Sequence, residues 1–182
     1  MMDIKRSTKA FSPQLEFSSL LEQYGKELHA YLWRLLQNQQ DAEDCLQEAY
    51  LRAFRAYDRT AQDSNYRAWL YKIATNVART HMQKSQRQGR QPKFDPDQVE
   101  VDPLEKLSRA EQIERVLRGM ERLSFRQRTA IMLRKYSDLS YEAIAEALEC
   151  TPQAARAHVY QGLKRLRVIL GAGNEDAGDG HE

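Results

Sequence analysis

Apolar residues recur three and four positions apart along most of the chain, and no stretch alternates as a strand does, so the pattern predicts an all-α protein. Phe17, Leu20, Leu21, Tyr24, Leu28, Tyr31, Leu32 and Leu35 form one stripe, which predicts a helix over 14–37. A second helix is expected to open at Asp41, with that carboxylate as its cap and Glu43 and Asp44 at the positive end of the dipole. It would bury Ala42, Cys45, Leu46, Ala49, Tyr50, Ala53 and Phe54 and end near Tyr57. After a polar loop over 60–65, Tyr66, Trp69, Leu70, Ile73, Ala74 and Val77 mark a third helix. Tyr66 and Trp69 lie on its apolar stripe and read as core, which leaves Tyr71 for solvent or a ligand.

Periodicity fails over 88–102, where Gly89, Pro92 and Pro96 mark a linker. Beyond it, Asp102, Pro103 and Glu105 supply a cap, a first-turn proline and an N-terminal acid for a fourth helix running towards Glu121. Ser124 and Gln127 form a capping box for a fifth helix through Tyr136, and Ser140 caps a short sixth that turns Ile144, Ala145 and Leu148 inward. Thr151 and Pro152 then open a long seventh, with Ala155, Val159, Leu163, Leu166 and Leu170 on its buried face. The expected organisation is two small helical domains, 14–87 and 103–170, joined by a flexible linker over 88–102. A flexible extension (1–13) precedes them and a disordered acidic tail (171–182) follows.

Composition adds little until the charges are placed in order. The net charge is only +2, yet 64–94 holds Arg67, Lys72, Arg79, Lys84, Arg87, Arg90 and Lys93 with no acid, 95–105 is acidic, and 152–170 is basic again. Two basic surfaces on either side of an acidic joint suit two contacts with a polyanion. Cys45 and Cys150 have no metal or disulfide spacing, and no apolar run is long enough to cross a bilayer, so the expected home is the cytoplasm without membrane insertion. Gly89 and Gly119 are the only glycines between Lys26 and Gln161, which excludes a phosphate-binding loop, and the four histidines share no ligand spacing. No cofactor, metal site or catalytic group is expected.

A short helix, a turn of about three residues and a longer basic helix make a helix-turn-helix. Small Ala145 and Ala155 let the two helices cross closely. Gln153, Arg156, Ala157 and Tyr160 would face base edges in a major groove, Lys164 and Arg165 would meet phosphates, and the free amides at the Ser140 helix start would hold another. Taken alone, this half equally fits a conventional dimeric helix-turn-helix regulator, and the basic surfaces also fit an interaction protein with an acidic partner.

Three segments carry a more specific resemblance. DAEDCLQEAYLRAF (41–54), YRAWLYKIATN (66–76) and LSYEAIA (139–145) are similar to the core-polymerase-binding helix, the promoter-melting helix and part of the second DNA-binding domain of bacterial sigma factors of the extracytoplasmic-function group. The resemblance covers about Phe17 to Leu170. It implies core RNA polymerase and promoter DNA as partners, and it admits an anti-sigma factor. It assigns Asp41, Asp44, Gln47, Glu48 and Arg52 to the polymerase; Asp63, Ser64, Asn65, Arg67, Tyr71, Lys72, Asn76 and Arg79 to the minus-ten element; and Ser140, Tyr141, Gln153, Arg156, Ala157, Tyr160, Lys164 and Arg165 to the minus-thirty-five element. The acidic joint would lie in the polymerase's nucleic-acid channel. Glu149 stands where the family usually has glycine, and His158, Gln161 and Leu163 stand where it is usually basic, so fewer phosphate contacts and weak DNA affinity without polymerase are expected.

Overall fold

The computed structural model describes residues 13–59, 65–88 and 115–175, and among these every regular element is a helix. α1 (Pro13–Leu36), α2 (Gln39–Tyr57) and α3 (Tyr66–Arg87) pack each against the other two. α4 (residues 115–121), α5 (Phe125–Lys135), α6 (Tyr141–Leu148) and α7 (Pro152–Glu175) follow. The linker residues 89–102, the capping sequence at Asp102 and the final residues 176–182 lie outside the described residues.

The first three helices close around Leu28, Tyr31, Leu32 and Leu35 of α1, met by small residues on α2 (Ala42, Cys45, Ala49, Ala53) and α3 (Ala68, Ala74, Ala78), all buried. Small side chains bring the helix axes near one another, and Gly25 shows how near: a Cβ there would sit 2.6 Å from the Tyr50 hydroxyl. The Tyr31 hydroxyl reaches across to share a 2.8 Å hydrogen bond with Thr75, so this buried phenol is satisfied.

Two expectations for α2 are corrected. Its cap is Asn38, not Asp41: Asn38 is extended, and its Oδ1 accepts from the Asp41 amide at 2.9 Å. Asp41 therefore falls within the first turn, and its carboxylate lies 3.2 Å from His81 Nε2 on α3. Phe54 is 50% exposed rather than core, because it sits at the edge of the seam with α1, where only one side of its ring is met, edge-on, by Phe17.

In the second half the local signals act as read. Ser124 and Gln127 close a reciprocal capping box, and Ser140 and Thr151 accept from the amides of Ala143 and Ala154. α6 ends in a left-handed residue, Glu149 at φ 52°, ψ 55°, followed by a Cys150 amide bonded to the Ala145 carbonyl at 3.0 Å. The turn is thus the one glycine normally makes, adopted by glutamate at a cost of roughly 1–2 kcal/mol. α7 crosses α5 closely at Gly162, where a Cβ would lie 2.8 Å from Ile131. Its helical span runs to Glu175, and the rest of the expected acidic tail lies outside the described residues. A glycine inside a helix costs only about 1 kcal/mol relative to alanine, and no proline interrupts the run.

The two halves also touch. α3 packs on α6 and α1 on α5, so the buried residues form one continuous cluster.

Candidate nucleic-acid and polymerase interfaces

The outer face of α2 carries Asp44, Gln47, Glu48 and Arg52, all of them solvent-accessible. Arg52 Nε donates to Glu48 Oε1 at 2.6 Å one turn away, and that bond holds the Glu48 carboxyl below its usual range. Asp41 is turned aside to His81 and does not share this face fully. Sequence reasoning missed Leu51 and Phe54, which are 52% and 50% exposed beside these polar groups. Leu51 was legible in principle, since it falls off the buried stripe. Phe54 leans edge-on against Phe17 at 5.4 Å between ring centroids, so the apolar ridge is held rigidly from behind. A polar face with an apolar ridge at helical spacing is suited to another helix.

Of the residues assigned to the minus-ten element, Asp63 and Ser64 lie outside the described residues. Asn65 caps α3, its Oδ1 accepting from the Ala68 amide at 3.1 Å. Asn76 is half-buried. Arg67 donates Nε and Nη2 to the two oxygens of Glu27 at 2.8 and 2.9 Å, a bidentate pair, and Nη2 also reaches the Ser137 carbonyl at 2.6 Å. Lys72 Nζ stands 3.8 Å from Glu149, and Arg79 stacks over the Phe125 ring at 5.3 Å.

Tyr71, expected at the surface, has no exposed area. Its ring meets Tyr31 edge-on at 5.2 Å, and burial raises its phenol, opposed by Ser137 and Arg67 beside the hydroxyl. The single-helix stripe placed Tyr71 on the polar side correctly; the second domain then covered that side.

The helix-turn-helix presents the opposite picture. Glu142, Pro152, Gln153, Arg156, Ala157 and Tyr160 line an open groove, with Tyr160 68% exposed. Lys164 and Arg165 continue the exposed face, and Ser140 stands at the solvent end of α6. Tyr141 is placed differently from a simple DNA contact: its ring lies between two guanidinium groups, Arg156 at 4.8 Å and Arg134 at 5.3 Å. Arg134 is itself held by the Leu139 carbonyl at 3.0 Å. The stack fixes the direction in which Arg156 leaves α7. Burial, and then Arg126, lowers the His158 pKa, which keeps that position neutral where a cation is usual.

With this geometry in view, the chain was compared with known proteins. Residues 20–88 match the family described as Sigma-70 region 2, and residues 113–166 match Sigma-70, region 4. The RNA polymerase sigma-H factor of Pseudomonas aeruginosa is 28% identical over 168 residues, which span 85% of this chain and 86% of that protein. The ECF RNA polymerase sigma-E factor of Escherichia coli is 30% identical over 166 residues, spanning 84% of this chain and 85% of that protein. Among solved structures, the sigma factor RpoE of Bartonella quintana, crystallised with the anti-sigma factor NepR, superposes with a TM-score of 0.69 at 26% identity, covering 86% of this chain and 97% of that one. CnrH, solved with the cytosolic domain of CnrY, shares the fold with a TM-score of 0.67 at 21% identity, over 87% of this chain and 90% of that one. The two matched regions fall in order on α1–α3 and on α4–α7, the same halves that hold the basic helix and the helix-turn-helix, and the chain belongs to the sigma-70 family of RNA polymerase sigma factors, in its extracytoplasmic-function group.

Proposed function

We propose that this sigma factor divides promoter recognition between two domains: 14–87 docks core RNA polymerase and handles the minus-ten strand, while 103–170 reads the minus-thirty-five duplex. The observation that carries the reading is the pairing, in one chain, of an exposed polar and apolar face on α2 with an exposed amide and guanidinium pair, Gln153 and Arg156, on the first turns of α7. Asp44, Gln47, Glu48 and Arg52, joined by Leu51 and Phe54, are assigned to the polymerase. Arg67, Tyr71, Lys72, Asn76 and Arg79 are assigned to the minus-ten strand, with Asp63, Ser64 and Asn65 at the start of α3. Gln153, Arg156, Ala157 and Tyr160 read bases, Tyr141 positions Arg156, and Ser140, Lys164 and Arg165 hold phosphates. The protein acts by binding, and initiation chemistry belongs to the polymerase.

The solved relative bound by an anti-sigma factor supports a protein regulator for this chain too. A dimeric regulator is not favoured, because both halves match one family in sequence order. Gel filtration with core RNA polymerase tests the reading. Co-elution and promoter-dependent transcription are expected; elution apart from active core, as a dimer that binds duplex DNA, would overturn it.

A further inference from the structure

A guanidinium group cannot shed its charge inside a protein, so a buried arginine is ordinarily matched by an acid. Arg67 shows the usual arrangement: the edge formed by its Nε and Nη2 grips the two oxygens of Glu27 at 2.8 and 2.9 Å. Arg128 on α5 turns the same edge to an uncharged neighbour. It is only 6% exposed, its Nε has no hydrogen-bond partner, and its Nη2 meets the Met82 sulfur on α3 at 3.4 Å. A thioether is a weak acceptor. Burial acts against the charged form of Arg128 and lowers its pKa, which Glu121 and Tyr31 offset only in part, and no carboxylate is paired with it among the described residues.

A second cation stands in the same place. Arg79 on α3 lies over the Phe125 ring at 5.3 Å and leaves its Nη2 buried without a partner. Arg79 and Met82 are three residues apart on α3, as Phe125 and Arg128 are on α5, and residues at that spacing share one helix face. The two contacts, Arg79 on Phe125 and Met82 on Arg128, thus bring both guanidinium groups into one seam, and both bear electrostatically on the Tyr31 hydroxyl. Two like charges with no acid between them are costly away from water. We infer that Arg128 and Arg79 form a site for one small inorganic oxyanion of the phosphate or sulfate class. Two of its oxygens accept from Nε and Nη2 of Arg128 and a third from Nη2 of Arg79. The Met82 side chain, unbranched and half-buried, swings aside to admit the ion. The burial of Arg128 suits a free ion and shuts out a nucleotide or a DNA backbone.

The test uses the full chain, dialysed free of phosphate and titrated with radiolabelled inorganic phosphate at an ionic strength held constant with sodium chloride. Saturable binding of one phosphate per chain is expected, with sulfate as a competitor. The melting temperature should rise by about 3–6 °C at a tenfold excess over Kd. Arg128→Met, similar in volume and uncharged, should bind no phosphate and should melt, without phosphate, at or above the parent temperature. Met82→Glu sets a carboxylate against the same guanidinium edge. It should also abolish binding while raising the phosphate-free melting temperature, the reverse of what a loosened fold would do. Arg128→Lys keeps the charge without the fork and should weaken phosphate binding by roughly tenfold or more. Arg87→Ala removes an exposed cation at the end of α3 and should bind as the parent does. No saturable binding by the parent, binding that survives Met82→Glu or a folded Arg128→Met, or an equal loss in Arg87→Ala would each overturn the site.

Discussion

α3 and α7 are both long, amphipathic and basic, yet they meet their surroundings in opposite ways. On α7 the cations Arg156, Lys164 and Arg165 stand in solvent, and the helix is buried only along the thin line of Ala155, Val159 and Gly162. On α3 two faces are covered: α1 and α2 take one, α6 takes the other, and Tyr71 is sealed between them. A duplex reader can be rigid and open, because a major groove admits a helix as it stands. On α3 the apolar ring of Tyr71, which would be costly to leave in water, is kept covered.

The sharpest way to break this comparison is to truncate one tyrosine on each helix. Tyr71→Ala removes a fully buried ring packed on Tyr31 and should cost about 3–5 kcal/mol in urea unfolding. Tyr160→Ala, at a residue 68% exposed, should stay within about 0.5 kcal/mol and instead weaken duplex binding. Equal stability losses would contradict the asymmetry. On α7 itself, Arg156→Ala should cost roughly 1–3 kcal/mol at one base-pair position, while Lys164→Ala should weaken all sequences alike and lower the salt slope by about 1. If Tyr141 aims Arg156, Tyr141→Leu should relax discrimination at that same base pair, and Tyr141→Phe, which keeps the ring, should not.

Much of this was legible in the chain. Capping residues Ser124, Ser140 and Thr151 fixed helix starts, because a side-chain acceptor three positions before a free amide is a local event. Asn38 was overlooked for the same local reason: Asp41 is an equally good cap by type, and only the extended backbone at Asn38 decides between them. The family motifs fall on α2, on α3 and on the start of α6. Periodicity could not reveal what another domain does to a polar face, and Tyr71, Arg67 and Arg128 all take their environment from contacts 40 or more residues away.

The Glu149 turn offers a smaller and more discriminating change. Glu149→Gly removes left-handed strain of about 1–2 kcal/mol and also an exposed ion pair of less than about 1 kcal/mol, so unfolding should report a net gain of between about 0 and 2 kcal/mol. A variant that became less stable would show that the Lys72 contact outweighs the backbone term.

The smallest expected effect concerns the two thiols. Burial, reinforced by Asp41 and Asp44, pushes Cys45 up to about 12, and burial raises Cys150 as well, though it is only half-buried at the end of α6. Alkylation at pH 8 should therefore modify Cys150 well before Cys45, because only the thiolate reacts. The linkage has a definite sign. A thiol raised in the folded state is protonated in both states below about pH 8.5, so its contribution is fully present there. As pH climbs towards the folded value, the unfolded chain ionises first and stability falls. Cys45→Ala should flatten that alkaline decline relative to the parent, while Cys150→Ser should change it less. A decline unaltered by Cys45→Ala would assign it instead to the buried phenols, of which Tyr31 is raised most strongly.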